Sequence, residues 1–269
     1  MLFMRLKSRD GFTLIEVLMV VGLMGILAVV SISLFSKSVE ESRFNETVAK
    51  LEQIKNALVG NPEVREARTR TSFGYLGDVG AIPTAVQGLS ALLTNPGIAA
   101  FSVNSSVRFG LGWNGPYLTG GPGANFTKDA WGQTIVYSPA AFPPTLVSLG
   151  ADGLVGGTGF NQDITVSLSA ELTTAAVSGF ICRSGSPFVT SAQVELNSPD
   201  GTGALLQSLV SLTAVDKGFF NFSAVSFGVR SLTVYVPSKA APTQTLGPVL
   251  LTVDRPNLVV PCNLIDLSP

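Results

Sequence analysis

One acidic side chain near the start of the chain lies where an ionised group is costly. Glu16 is the only ionisable residue between Phe12 and Phe35, in a run that is otherwise uncharged and mostly apolar. A charged side chain at membrane depth costs about 2.5–3.5 kcal/mol or more, so it requires a partner or a task. The alternative is an ordinary membrane anchor that carries a stray acid near the interface.

Other residues exclude several classes of function. The chain has no histidine, which removes the usual general base and the commonest metal ligand. It has no GxSxG or HExxH pattern, so a membrane-tethered enzyme is disfavoured. With 17 Lys and Arg residues against 18 Asp and Glu residues, no basic stripe suited to nucleic acid remains. The sequence predicts a non-enzymatic protein that does not bind nucleic acid.

The two cysteines of the chain, Cys182 and Cys262, lie far apart. In an oxidising compartment an even pair indicates a disulfide. Such a bond would close a loop of about 80 residues and stabilise the fold by roughly 4 kcal/mol on the chain-entropy model. Two unpaired buried thiols are the alternative.

A short basic leader precedes the apolar run. Residues 1–11 carry three basic side chains and one acidic side chain, Arg5, Lys7, Arg9 and Asp10. This excess of cations favours a cytoplasmic N-terminus. A cleaved secretory signal peptide would also begin in this way, but the helical pattern that follows argues against cleavage after the apolar run.

The apolar run and the residues after it predict one long helix. As a helix, residues 12–35 would be about 36 Å long, enough to cross a hydrocarbon core of about 30 Å. Apolar residues then recur at spacings of three and four as far as Leu58, and Gly60 is a plausible terminator. We therefore predict a helix over residues 12–60, apolar in its first half and amphipathic in its second.

The heptapeptide GFTLIEV, residues 11–17, resembles the processing site of type IV pilins and of the pseudopilins of type II secretion. The resemblance implies that a prepilin peptidase cleaves between Gly11 and Phe12 and methylates the new amine of Phe12. It also implies that Glu16 pairs with that amine in a neighbouring subunit during assembly. Because losing one partner of a buried ion pair strands the other charge, such pairing favours one axial register.

Three later motifs narrow the resemblance. GWNGPYL at residues 112–118, DAWG at 129–132 and SLGADG at 148–153 occur in this order, and further glycines and Asp163 follow. Together they are similar to the major pseudopilin of type II secretion systems, over approximately residues 11–164. Many members of the family have a proline in the second half of the apolar segment, whereas this chain has Ser-Ile-Ser there.

In that family the loop after SLGADG binds calcium. The resemblance implies carboxylate ligands from Asp152 and Asp163, a backbone carbonyl ligand from Leu149, and a shell completed by Asn161 or a nearby carbonyl. Calcium prefers six to eight oxygen ligands on a flexible backbone, and the intervening glycines provide that flexibility. The alternative is that these Asp and Asn residues only form turns.

Beyond residue 165 the pattern changes to short alternating runs separated by turns. Strands are predicted at residues 177–182, 192–196, 219–222, 231–236, 249–253 and 258–262. Their succession resembles a small β-sandwich of the carboxypeptidase-regulatory, prealbumin-like type. Such modules bind, space or stiffen, and the likeness implies no catalysis.

The predicted fold is α+β. It consists of a long N-terminal transmembrane and assembly helix packed on a small pseudopilin-type antiparallel sheet with a calcium loop, followed by an all-β sandwich domain. The predicted divisions are a leader at 1–11, the helix at 12–60, a pseudopilin-like globular domain at 61–165 and the β-sandwich at 166–269.

We therefore expect a structural subunit of a type II secretion pseudopilus or of a type IV pilus-like filament. Its expected partners are copies of itself, other pilin or pseudopilin subunits, the prepilin peptidase and the inner-membrane assembly machinery. We expect a single-pass protein of the bacterial inner membrane with periplasmic globular domains, which an extracellular filament would also contain. The alternative is a minor or tip pilin whose C-terminal β-sandwich is adhesive or binds substrate.

Overall fold

The computed structural model describes residues 13–120, 125–188 and 190–267, without the side chains of residues 28–34. Over these residues the protein is α+β, with a helical N-terminus followed by several sheets. The predicted processing site at Gly11 and Phe12 lies outside the described residues.

Helix α1 spans Leu14–Val59, 46 residues, which corresponds to roughly 70 Å. It begins at Thr13, whose hydroxyl accepts a hydrogen bond from the amide of Glu16 at 3.3 Å. It ends at Gly60, as predicted, where φ is +80° and a Cβ would lie 2.2 Å from the Ser72 carbonyl oxygen. In the described part of the chain, no helix is long and apolar enough to cross a membrane.

The middle of the chain forms a short helix and three small antiparallel sheets. The pairs are β1 with β2, β3 with β4, and the three-stranded sheet β5-β6-β7. The elements are β1 (Arg65–Glu66), β2 (Thr69–Arg70), α2 (Gly74–Val79), β3 (Ser102–Asn104), β4 (Phe109–Leu111), β5 (Val136–Ser138), β6 (Thr145–Ser148) and β7 (Ile164–Ser167). The small antiparallel sheet beside the long helix is therefore confirmed.

The C-terminal part consists of strands. They are β8 (Thr174–Phe180), β9 (Cys182–Arg183), β10 (Ser186–Pro187), β11 (Ala192–Pro199), β12 (Leu205–Leu212), β13 (Phe219–Ser226), β14 (Gly228–Val236), β15 (Gln244–Val253) and β16 (Asn257–Val260). One sheet has the order β12-β11-β14-β15 and a second has the order β13-β8-β16, in which β16 lies parallel to β8. All six predicted strands are present, whereas β12 was not predicted. The carboxypeptidase-regulatory type of sandwich stays a prediction.

One hydrophobic cluster joins the helix to both groups of sheets. It contains Leu58 of α1, Leu146 of β6, Val177 of β8 and Val234 of β14, all essentially without exposed surface. The Cys182–Cys262 disulfide is formed, with the two Cα atoms 5.4 Å apart, which confirms the predicted pairing. The predicted boundary at residue 165 therefore lies within a continuous core.

A buried arginine connects β14 to α2 within this core. The Arg230 guanidinium makes five hydrogen bonds of 2.7–3.1 Å, to the carbonyls of Gly77, Ser226, Phe227 and Val229 and to the Ser226 hydroxyl. Burial lowers the pKa of Arg230 to about 9, and the nearby Asp78 carboxylate opposes that shift. The group is therefore charged at neutral pH, and each of its N–H groups can be satisfied there.

We predict that Arg230→Ala lowers the free energy of unfolding by about 3 kcal/mol or more, because it leaves several buried carbonyls without a donor. Urea unfolding followed by tryptophan fluorescence measures the change. Arg108→Ala, at an exposed position, is the matched control and is expected to change stability by less than about 0.5 kcal/mol. Equal stability of the two variants would contradict the connecting role of Arg230.

Candidate assembly site and metal-binding loop

The first half of α1 presents an apolar surface that the rest of the described chain does not cover. Large apolar side chains from Leu14 to Leu27 are exposed, Leu14 by 82%. Glu16 is also exposed, among these residues, and its carboxylate accepts no hydrogen bond within the described part of the chain. A contiguous apolar surface of this kind indicates an interaction site.

The second half of α1 is held by the turn that carries the DAWG motif. The turn is built on Asp129, which is almost completely buried. One carboxylate oxygen, Oδ1, accepts hydrogen bonds from the amides of Trp131 at 3.0 Å and Gln133 at 2.8 Å. The other, Oδ2, accepts one from the Ser148 hydroxyl at 2.6 Å. The carboxylate therefore ties the turn to the end of β6.

Three polar contacts attach this turn to α1. The Ala130 amide donates to the Thr47 hydroxyl at 3.1 Å, and the Trp131 indole N–H donates to the Glu40 carboxylate at 2.6 Å. The Lys50 ammonium donates to the Lys128 carbonyl at 3.0 Å. These contacts span more than two turns of the helix, so they fix both its axial position and its rotation relative to the sheet.

The predicted calcium ligands lie on one closed loop between β6 and β7. The Ala151 amide donates to the Phe160 carbonyl at 2.8 Å, and the Asp163 amide donates to the Gly156 carbonyl at 3.2 Å. The Asp152 carboxylate accepts a hydrogen bond from the Leu154 amide at 3.0 Å. Phe160 also contacts Phe44 of α1, with ring centroids 6.4 Å apart. The loop is therefore folded on itself and touches the helix.

Asp163 has one oxygen that the described residues do not satisfy. Its Oδ2 accepts a hydrogen bond from the Gly156 amide at 3.1 Å, whereas its Oδ1 is buried and has no hydrogen-bond partner there. The carbonyl of Leu149, which is partly buried, accepts no hydrogen bond from a turn or loop amide of the described residues. A buried carboxylate oxygen without a partner is unfavourable, and a cation would satisfy it.

Two further observations bear on a metal. Asp152 and Asn161 are exposed, so their oxygens are accessible to an ion from solvent. No group of three or more His, Cys, Asp or Glu residues able to hold a metal occurs among the described residues. A calcium site would therefore depend on two carboxylates together with amide and carbonyl oxygens, which is the predicted ligand set.

The sequence did not reveal which residues dock the helix. The DAWG motif was recognised only as part of a family resemblance, and its partners Glu40 and Thr47 lie more than 80 positions away. Thr47 carries a signal that could have been used. It is a polar residue on the apolar face of an amphipathic helix, and it is fully buried.

Comparisons with known proteins identify relatives for about the first 60% of the chain. Residues 67–167 match the model of type II secretion system (T2SS) protein G, and residues 6–32 match the prokaryotic N-terminal methylation motif. The chain is 30% identical over 162 residues to the type II secretion system core protein G of Vibrio cholerae serotype O1. That alignment covers 60% of this chain and 92% of the Vibrio protein.

We predict that Asp129→Ala lowers the free energy of unfolding by about 3 kcal/mol, because two amides and the Ser148 hydroxyl lose their acceptor. Tryptophan fluorescence during urea unfolding reports the change at Trp131. Glu63→Ala, an exposed acid outside the turn, serves as the control and is expected to change stability little. A stability loss no larger than that of the control would show that the turn does not depend on Asp129.

Proposed function

Because the chain belongs to the protein G family of type II secretion systems, we propose that it is the repeating subunit of a pseudopilus and assembles through α1. As a member of this family it is a structural, non-enzymatic pseudopilus subunit that assembles with other pseudopilin subunits in a filament. The observation that supports assembly through α1 is the exposed apolar half of the helix. Packing these surfaces together in a filament core would remove them from water.

The N-terminal methylation motif supports a specific maturation step. In the proposed sequence of events, the prepilin peptidase cleaves after Gly11 and methylates the amine of Phe12. Glu16 then pairs with the Phe12 amine of a neighbouring subunit. Because Glu16 is exposed on an apolar surface, burial in a filament would require a cation, and the new amine supplies one.

Residues 12–35 are also proposed to anchor the subunit before assembly. The apolar run in the sequence is long enough for the hydrocarbon core, and the basic leader favours a cytoplasmic N-terminus. The globular part would then lie in the periplasm, where the disulfide is stable, and the inner-membrane assembly machinery would extract the subunit into the filament.

The choice of a repeating subunit over a minor or tip subunit follows from the region of similarity. The match to protein G includes α2, the DAWG turn, the sheet β5-β6-β7 and the loop between β6 and β7. The strands after residue 167 lie outside that match, so we propose that they decorate the filament surface.

Calcium is proposed to bind the loop between β6 and β7. Asp152, Asp163, the Leu149 carbonyl and Asn161 would hold it, and the unsatisfied Oδ1 of Asp163 is the observation that supports the fit. When bound, the ion would cross-link the loop through its oxygens. Because Phe160 of this loop contacts α1, the ion would also stiffen the support of the helix.

The test of assembly is immunogold labelling of filaments from cells that express the wild type, Glu16→Ala or Glu41→Ala. We expect Glu16→Ala to yield at least tenfold fewer filaments, because stranding the neighbouring amine costs about 3–5 kcal/mol. Glu41→Ala removes an exposed acid from the same helix outside the apolar run and should assemble normally.

Label along the whole length of the filaments supports the repeating subunit, whereas label at tips alone would support the minor subunit. Normal filament numbers with Glu16→Ala would rule out the proposed pairing with Phe12.

The test of calcium is thermal unfolding of the protein after EDTA treatment, with and without added Ca²⁺. At a calcium concentration 100 times the Kd, we expect stabilisation of about 2.7 kcal/mol and a melting temperature higher by several degrees. Asp163→Asn should abolish the increase, whereas Glu171→Gln, an exposed acid outside the loop, should retain it. An unchanged melting curve together with no calcium in elemental analysis would exclude the site.

A further inference from the structure

The two C-terminal sheets differ in how their edge strands are protected. An exposed edge presents unpaired backbone groups, and proteins usually block such edges with prolines, bulges, charges or short strands. The described residues place four strands at these edges: β12 and β15 in one sheet, and β13 and β16 in the other. Three of the four carry a blocking feature.

Strand β15 contains Pro248 and an irregular register opposite β14. Strand β13 has a bulge between Phe222 and Val225, where Ala224 adopts a φ of +55°. Strand β16 has only four residues and is followed directly by Pro261. Each of these features interrupts the regular backbone pattern that a further strand would need.

Strand β12 has none of these features. It pairs with β11 through eight consecutive residues without a register shift. Between Asp200 and Asp216 the chain has no charged residue and no proline. Among the described residues, the backbone of β12 makes hydrogen bonds to β11 and to no other segment. One edge of this regular strand is therefore free to accept another strand.

The free edge of β12 also borders a groove. A cavity of about 460 Å³ lies between β12 and the bulged part of β13, and its lining includes Leu206, Val210, Phe222 and Val225. On the opposite face of β12, Leu209 is 46% exposed. A strand added here would gain backbone hydrogen bonds at the edge and apolar contacts on both faces.

We propose that β12 pairs antiparallel with β12 of a second copy of this chain. A continuous sheet requires that opposed residues point to the same face, so odd-numbered residues of one strand oppose odd-numbered residues of the other. The register centred on Leu209 places this residue opposite itself and places Leu206 opposite Leu212. Since β12 is uncharged, self-pairing brings no like charges together.

The symmetry of this contact determines what it connects. Pairing of one edge with the same edge is isologous and requires a two-fold axis. Subunits within one helical filament are related by a screw operation, which contains no such axis. The β12 contact therefore joins subunits of two different filaments and would bundle them side by side. This inference rests on the proposed filament function, because the filament presents many copies of β12 along its length.

A cross-linking experiment tests the pairing directly. Both cysteines of the chain form the disulfide, so a cysteine introduced at position 209 is the single free thiol. Leu209→Cys in the full-length protein should give disulfide-linked dimers on mild oxidation. Leu250→Cys, on β15 at the other edge of the same sheet, is equally exposed at 44% and should give at least fivefold fewer dimers. Equal dimer yields from the two variants would overturn the proposal.

Electron microscopy of filaments tests the consequence. Leu209→Lys should leave filament number and length unchanged while it reduces the fraction of filaments in bundles at least fivefold, and Leu250→Lys should bundle as the wild type does. Unchanged bundling with Leu209→Lys, or a wild type that forms only single filaments, would overturn the proposal. Absence of filaments in the wild type would contradict the proposed function instead, and the cross-linking of detergent-solubilised full-length protein would still decide the pairing.

Discussion

The structure depends on the attachment of one long helix to a small sheet through a few buried polar groups. Apart from Glu16, the sequence of the first half of α1 has no charged residue on any side, so its composition does not fix the rotation of the helix about its axis; the contacts of the second half do. Leu51, Ile54 and Leu58 bury its apolar face, and Thr47 places a hydroxyl where the DAWG turn can donate to it. Because Asp129 satisfies the amides of that turn, the turn is rigid, and the direction in which Glu16 points is set more than 40 Å away along the helix.

The C-terminal strands share a hydrophobic core with the helix and the small sheet, so they do not form an independent domain. Arg230 of β14 donates to the Gly77 carbonyl of α2, and the Arg70 guanidinium lies against the rings of Phe73 and Phe227. Hydrophobic side chains of both parts form a single cluster. Displacing the strands would break the hydrogen bond from Arg230 to Gly77 and would expose the apolar side chains of the shared cluster, which is costly. Strands joined in this way move with the helix, so their surface keeps a fixed orientation relative to it.

Local patterns in the sequence predicted those features that depend on local physics. The apolar run, the glycine at position 60 and the alternating strands each follow from a rule that acts over a few residues, whereas the disulfide followed from there being two cysteines in the chain. Strand β12 was missed because LLQSLVSL is rich in leucine, which favours helices as much as strands, and has one β-branched residue. The contacts of Trp131 with Glu40 and of Arg230 with Gly77 join residues 91 and 153 positions apart, and one sequence contains no signal for them. The motif was enough to predict Asp163 as a calcium ligand. Only the folded loop shows that its Oδ1 is buried without a hydrogen-bond partner.

The disulfide has a consequence for how the protein responds to tension. When a filament is under tension, force acts on each subunit between its helix and any partner bound to its surface. Cys182 and Cys262 are 80 positions apart in the chain but joined covalently, so strands β10 to β16 lie within a closed ring. If force unfolds the sheets, the disulfide prevents the residues within this ring from extending, which shortens the unfolded chain by about 270 Å. The unfolded subunit therefore extends less under force. The sheets β12-β11-β14-β15 and β13-β8-β16 can then refold from a more compact state when the force is released.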